Sequence, residues 1–213
     1  MKITRIGEIE LICGDCMEVM RSSGDILAEL AVCDPDYGLG KKLVGGNRMA
    51  RYGLAGCMLG GIPDKGWFTE LCRVSKNQVI WGGNYFEFLP ATRCFLIWDK
   101  KEKMRNFADC EYAWTSFDKN AKLFSSARNP HGISGNDKRI HICQKPVQLY
   151  MWIYELLSKH GDRILDTHMG SGSSAIAAYE TGRRYIGIEI NEEYYNNAVA
   201  RVRKHIELHP KLV

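Results

Sequence analysis

With 213 residues, 45% of them hydrophobic and 25% charged, the chain is long enough to bury one core and is read as a single domain over 1–213. Its apolar runs are too short to span a bilayer, and MKITRIGEIEL at the start puts charges where a signal peptide needs an apolar block, so no membrane role is expected and a cytoplasmic location is. A net charge of +4 permits a nucleic-acid partner without demanding one.

Short apolar runs that break at polar residues mark strands, in chain order: EIELIC (Glu8–Cys13) before Gly14-Asp15, LAVC (Leu30–Cys33) before Asp34-Pro35, QVIW (Gln78–Trp81) before Gly82-Gly83-Asn84 and CFLIW (Cys94–Trp98) before Asp99. Further on come RILD (Arg163–Asp166), ahead of a glycine turn, and RYIGIE (Arg184–Glu189), ahead of Asn191. Helices are expected over Val147 to Lys159, Ser173 to Thr181 and Glu192 to Glu207. The last has Asn191 as N-cap and Tyr195, Val199, Val202 and Ile206 on one face. Strands alternating with helices imply an α/β fold with a largely parallel sheet, in which ligands gather at the carboxyl ends of strands. Asp15, Asp34, Asn84, Asp166 and Glu189 all sit at that kind of position.

Two segments stand apart. Residues 41–66 are basic and glycine-rich, with Lys41, Lys42, Arg48, Arg51 and Lys65 against Asp64, as suits a mobile loop that tracks phosphates. Residues 99–141 are polar and irregular and form the candidate target-recognition insert. The tryptophans, Trp67, Trp81, Trp98, Trp114 and Trp152, are read as core. Among eight cysteines only Cys13 and Cys16 have C-x-x-C spacing. No second pair completes a zinc site, so no metal is expected and the thiols are read as reduced.

The stretch ILDTHMGSGSSAIAA (Ile164–Ala178) carries a strand into Asp166, a turn through Gly170-Ser171-Gly172, and then a helix. Glycines let a backbone approach a ligand, and Glu189 at the end of the next strand can accept ribose hydroxyls. Asp166 beside the turn would crowd a pyrophosphate, and no G-K-[ST] is present. A nucleoside cofactor without phosphates, such as S-adenosyl-L-methionine (AdoMet), therefore fits better than NAD or ATP. His168 is read as a packing residue beside that turn. In Asp34-Pro35-Asp36-Tyr37, a carboxylate and the Pro35 carbonyl can take the two N–H bonds of an exocyclic amine and free its lone pair, while Tyr37 stacks on the ring. A base must leave the duplex to reach such a pocket.

These blocks together resemble the amino-methylating DNA methyltransferases, with their D-P-P-Y and D-P-F-x-G-S-G-T motifs. GDCMEVM (Gly14–Met20), LCRVSKNQVIWGGNYF (Leu71–Phe86), FLIWDK (Phe95–Lys100), HICQKPVQLY (His141–Tyr150) and GSGSSAIAAYETGRRYIGIEIN (Gly170–Asn191) carry the likeness. The catalytic block precedes the cofactor block, as in the permuted beta-type, small phage-like members. The resemblance implies a Rossmann-like AdoMet-dependent methyltransferase fold with helices on both faces of the sheet, and a place in DNA methylation of the restriction–modification kind. It implies that Asp34, Pro35 and Tyr37 hold a flipped target base in DNA. Asp166, Gly170, Ser171 and Gly172 would hold the methionine end of AdoMet, Glu189 its ribose and Asp15 its adenine, and Lys145 with Pro146 would open the helix that covers it. Asp36 stands where relatives have a second proline, Thr167-His168-Met169 stands for Pro-Phe-x, and Ile142-Cys143 stands for Pro-Thr. The expected activity is methyl transfer to N6 of adenine. N4 of cytosine is the alternative, and a catalytically silent, nucleic-acid-binding partner is a rival. A protein-glutamine methyltransferase is disfavoured because position 34 is Asp rather than Asn. A homodimer is expected, since a chain this short leaves little for gripping DNA.

Overall fold

The computed structural model describes residues 1–38, 61–101, 108–126, 140–141 and 143–211. Strands β1 (Lys2–Ile6), β2 (Ile9–Cys13), β3 (Ala28–Cys33), β4 (Ser75–Trp81), β5 (Leu96–Asp99), β6 (Cys110–Thr115), β7 (Lys122–Ser125), β8 (Arg163–Asp166) and β9 (Arg184–Glu189) form one sheet, ordered β1-β2-β9-β8-β3-β4-β6-β5-β7. The run from β2 through β9, β8 and β3 to β4 is parallel, and β1 and β6 join it antiparallel. Helices α1 (Cys16–Ser22), α2 (Lys65–Val74), α3 (Val147–Leu157), α4 (Ser173–Glu180) and α5 (Glu192–Leu208) complete the α/β fold.

The two-residue period of the central strands builds a core on each face of the sheet. Leu30, Val32, Val79, Trp81 and Ile164 pack with α3, α4 and α5, whereas Ala31, Cys33, Ile80 and Leu165 pack with α1 and α2. Both faces of the strands are thus covered, which is why they read as continuous apolar runs. Helix starts are set by side chains: Asp15, Asp64 and Asn191 accept from Met17, Trp67 and Tyr194 N–H groups, respectively. The expected face of α5 holds, with Tyr195 and Val202 buried and Val199 and Ile206 packed against the core. Trp67, Trp81, Trp98 and Trp114 are buried, and Trp152 packs against the core from its edge. The described cysteines are free thiols.

Two sequence expectations look different in the fold. The segment 99–141, read as irregular, supplies β6 and β7, and β6 pairs with both β4 and β5. In the segment 41–66, Lys65 and Gly66 open α2, and residues 41–60 lie outside the described residues. Among the described residues no helix is long and apolar enough to cross a membrane.

The topology sets the position of the site. From β3 the sheet continues to β4 on one side, while β8 and β9 lie on the other. Strand order therefore reverses between β3 and β8, which is where open parallel sheets form a crevice at their carboxyl edge.

Candidate active site

A cavity of about 370 Å³ opens at that edge, a size suited to a small-molecule ligand. Gly14 and Asp15 line it from the end of β2, Asp34 and Asp36 from β3, Thr167, His168 and Gly170 from β8, and Glu189 from β9. Trp67, His141 and Tyr194 line it as well, and sequence reasoning assigned none of them to a site. Their only signal was adjacency: His141 opens HICQKP, and Tyr194 follows the Asn191 cap.

Of the residues expected to hold a cofactor, Asp15, Gly170 and Glu189 line the cavity, and Asp166, Ser171, Gly172 and Lys145 do not. Glu189 braces the wall: Oε2 accepts from Gly170 N at 2.9 Å and Oε1 from Asn191 N at 2.9 Å. Burial, opposed by these backbone N–H groups, pushes its carboxyl above the ordinary value. Asp166, expected at the methionine end, is 1% exposed, and its carboxylate is already occupied. Oδ1 accepts from His168 N at 3.0 Å, and Oδ2 accepts from the Ser174 hydroxyl at 2.6 Å and the Tyr185 hydroxyl at 3.3 Å. Burial pushes it up to about 7. Asp166 thus shapes the turn from inside. Gly172 does related work: its φ of +74° and a Cβ position 3.1 Å from Val202 let α4 start directly against α5. Ser171 is buried, and its hydroxyl bonds to that of Ser173.

His168 fills the phenylalanine slot as a packing group, its ring edge-on to Trp67 at 5.6 Å. Burial drops it from 6.5 to about 4. The unfolded chain therefore takes up the proton first, and stability falls as pH drops from about 7 toward 4. His168→Phe is expected to gain about 2 kcal/mol on the wild type between about pH 8 and pH 5. Urea unfolding at the two pH values is the check, and parallel shifts in the two proteins would refute it.

The loop expected to bind the target base leaves β3 at Asp34. Its Oδ2 lies 2.5 Å from Lys145 Nζ, and its Oδ1 is buried with no hydrogen-bond partner among the described residues. Lys145, expected on the cofactor side, is instead held by carboxylates: its Nζ is also 3.1 Å from Glu111 Oε2, and Glu111 Oε1 is 2.6 Å from Lys100 Nζ. Pro35 is buried. Tyr37 stacks on the half-exposed Tyr85, with centroids 4.9 Å apart and planes 2° from parallel, and crosses Gly82 so closely that a Cβ there would lie 2.3 Å from the ring. Asp36 Oδ1 accepts from Gly38 N at 2.8 Å, a side-chain turn that supports the loop without the second proline. Lys41 and Lys42, the nearest basic residues that follow it in the chain, lie outside the described residues. Asn84 is exposed on the short 3-10 turn Gly83–Tyr85.

Comparison with known proteins finds similar sequences and folds. The N6_N4_Mtase model, a DNA methylase family, matches residues 96–200, a range that holds the Gly170–Gly172 turn and Glu189 and omits the Asp34 loop. The type II methyltransferase M1.MboII of Moraxella bovis is 41% identical over 76 residues, 35% of this chain. The match spans 29% of that relative's length. Among solved structures, the M1.HpyAVI–SAM complex matches with a TM-score of 0.60 at 23% identity, over 91% of this chain and 98% of that one. The PvuII cytosine-N4-specific DNA methyltransferase matches with a TM-score of 0.61 at 14% identity, over 94% and 90%. The chain has the fold of these enzymes, and its residues 96–200 are similar to the N6_N4_Mtase DNA methylase family.

Proposed function

We propose that this chain is an AdoMet-dependent DNA methyltransferase that methylates an exocyclic amine of a flipped base, N6 of adenine. The observation that carries the reading is Asp34 Oδ1, a buried carboxylate oxygen without a partner at the mouth of a small-molecule cavity. Such an atom is costly unless a ligand satisfies it, and an amine N–H does so.

The cavity fits AdoMet by its donor set. Asp15 and Glu189 offer acceptors to a nucleoside, Gly170 leaves the wall open to close approach, and two carboxylates suit a sulfonium cation better than a pyrophosphate. When bound, AdoMet supplies an electrophilic methyl group. The chain's part is to place the amine. Asp34 and the Pro35 carbonyl accept its N–H bonds, and Tyr37 offers a ring face to the base. Asp rather than Ser at position 34 favours adenine, by the usage of the family that the chain resembles. A homodimer in the cytoplasm remains part of this reading, and light scattering with and without DNA is the check on the dimer.

Digesting DNA after incubation with protein and AdoMet, and weighing the nucleosides, tests the reading. N6-methyladenine is expected. N4-methylcytosine would transfer the same machinery to the other base, and no methylated base would overturn it.

A further inference from the structure

Asp34 does not stand alone behind the cavity. Lys145, from the loop ahead of α3, Glu111, from the start of β6, and Lys100, just past β5, follow it in a line of alternating charge. The side chains of Lys145 and Lys100 are 4% and 6% exposed, and those of Asp34 and Glu111 are 13% and 23% exposed. The four charges sum to zero, so the line can lie under the sheet edge without an uncompensated ion. Trp81 and Trp98 lie beneath the two ammonium groups, 5.2 and 5.5 Å from ring centroid to Nζ.

We propose that Lys145 is the positioning residue of the Asp34 loop: its ammonium clamps one carboxylate oxygen of Asp34 and leaves the other free for the target amine, while Glu111 and Lys100 hold Lys145 in place. The proposal rests on the functional reading above and assigns work to residues outside the base-binding motif. The argument is geometric. A carboxylate rotates about its last bond, and an ion pair on Oδ2 removes that freedom, so Oδ1 is offered in one direction. Lys145 also opposes protonation of an acid that burial pushes above its usual range. Burial works against the Lys145 ammonium too, but Asp34 and Glu111 outweigh it and hold it well above its ordinary value. Burial likewise works against the Glu111 charge, but Lys145 and Lys100 hold that acid at about 2. The other titratable groups felt around Asp34 are Tyr37 on its own loop, Tyr150 on α3 and Asp166 at the end of β8, and Cys143, ahead of Lys145, is felt by Tyr37. None of them is a cation.

Lys145→Met keeps the length of the side chain and removes the charge. Single-turnover methylation of unmethylated genomic DNA at saturating AdoMet is expected to fall about 100-fold at neutral pH. The rate of the variant should climb with pH as Asp34 ionises late, where the wild type stays level. Lys145→Arg should recover part of the rate, and AdoMet affinity should stay within about threefold, because Lys145 stands outside the cavity. Stability gives a readout free of activity. Without its cation, Asp34 has a folded pKa further above the unfolded one. The variant should therefore lose more stability than the wild type as pH rises from about 5.5 to 8.5, and adding Asp34→Asn should abolish that excess. A brace that served the fold alone would change stability and leave the pH–rate profile level. An active wild type whose Lys145→Met variant matches it in rate and profile would overturn the clamp alone. A wild type that methylates no DNA would overturn the functional reading beneath it.

Discussion

Asp34→Ala is expected to reduce methyl transfer by at least about 1,000-fold. One preorganised electrostatic contact to the reacting group is worth about 3–4 kcal/mol in other enzymes, and on the proposed function the same residue also orients the amine. Asp34→Asn keeps the shape and one carbonyl acceptor but loses the charge, and should retain a trace of activity at most. The alanine variant also leaves Lys145 with Glu111 as its remaining counter-ion, so some loss of stability is expected, and the asparagine variant should share it. Single-turnover rates with labelled AdoMet, beside a thermal melt, separate the two effects. An alanine variant that turned over at near wild-type rate would remove the central claim.

Glu189→Ala should have the second largest effect, on cofactor binding. The carboxylate both faces the cavity and accepts from Gly170 N and Asn191 N. Its removal takes away a charged acceptor for ribose hydroxyls and releases the turn that forms the wall. The first loss is worth about 1.5–3 kcal/mol, or roughly 10- to 150-fold in affinity. Calorimetric titration with AdoMet reads it, and Asp34→Asn serves as the folded control, expected to bind within about threefold of wild type. An alanine variant that folds and binds as tightly as wild type would withdraw the ribose assignment.

The sheet could be read from the chain where strands are buried on both faces. RILD and RYIGIE match β8 and β9 residue for residue, because continuous apolar runs ending in an acid leave little freedom. Strands β6 and β7 hid for the opposite reason. CEYAWT is exposed or half-exposed over its first half and KLFS over its whole length, so neither shows the apolar run of a central strand. The carboxylates at the strand ends were legible for the same reason as the strands: each follows a run that must stop. Their division of labour was not. Asp166 and Glu189 look alike in sequence, and only the Ser174 and Tyr185 hydroxyls, brought up by α4 and β9, turn the first inward. Lys145 was read beside the cofactor because its motif borders α3. Its contact with Asp34 depends on the sheet order, which no local pattern encodes.

The line of four charges has a consequence for which substitutions this chain can accept. A neutral substitution at any one of positions 34, 100, 111 and 145 strands an opposite charge in a poorly solvated place. Exchanging two neighbours together leaves the sum at zero. The four positions are therefore expected to tolerate change in pairs rather than singly. On the proposed function position 34 is tied to chemistry and is the least free to move. Exchanges should then be best tolerated at the Lys100–Glu111 end, where β5 and β6 lie side by side through the Asp99–Cys110 pairing and a compensated exchange leaves the Asp34 loop untouched.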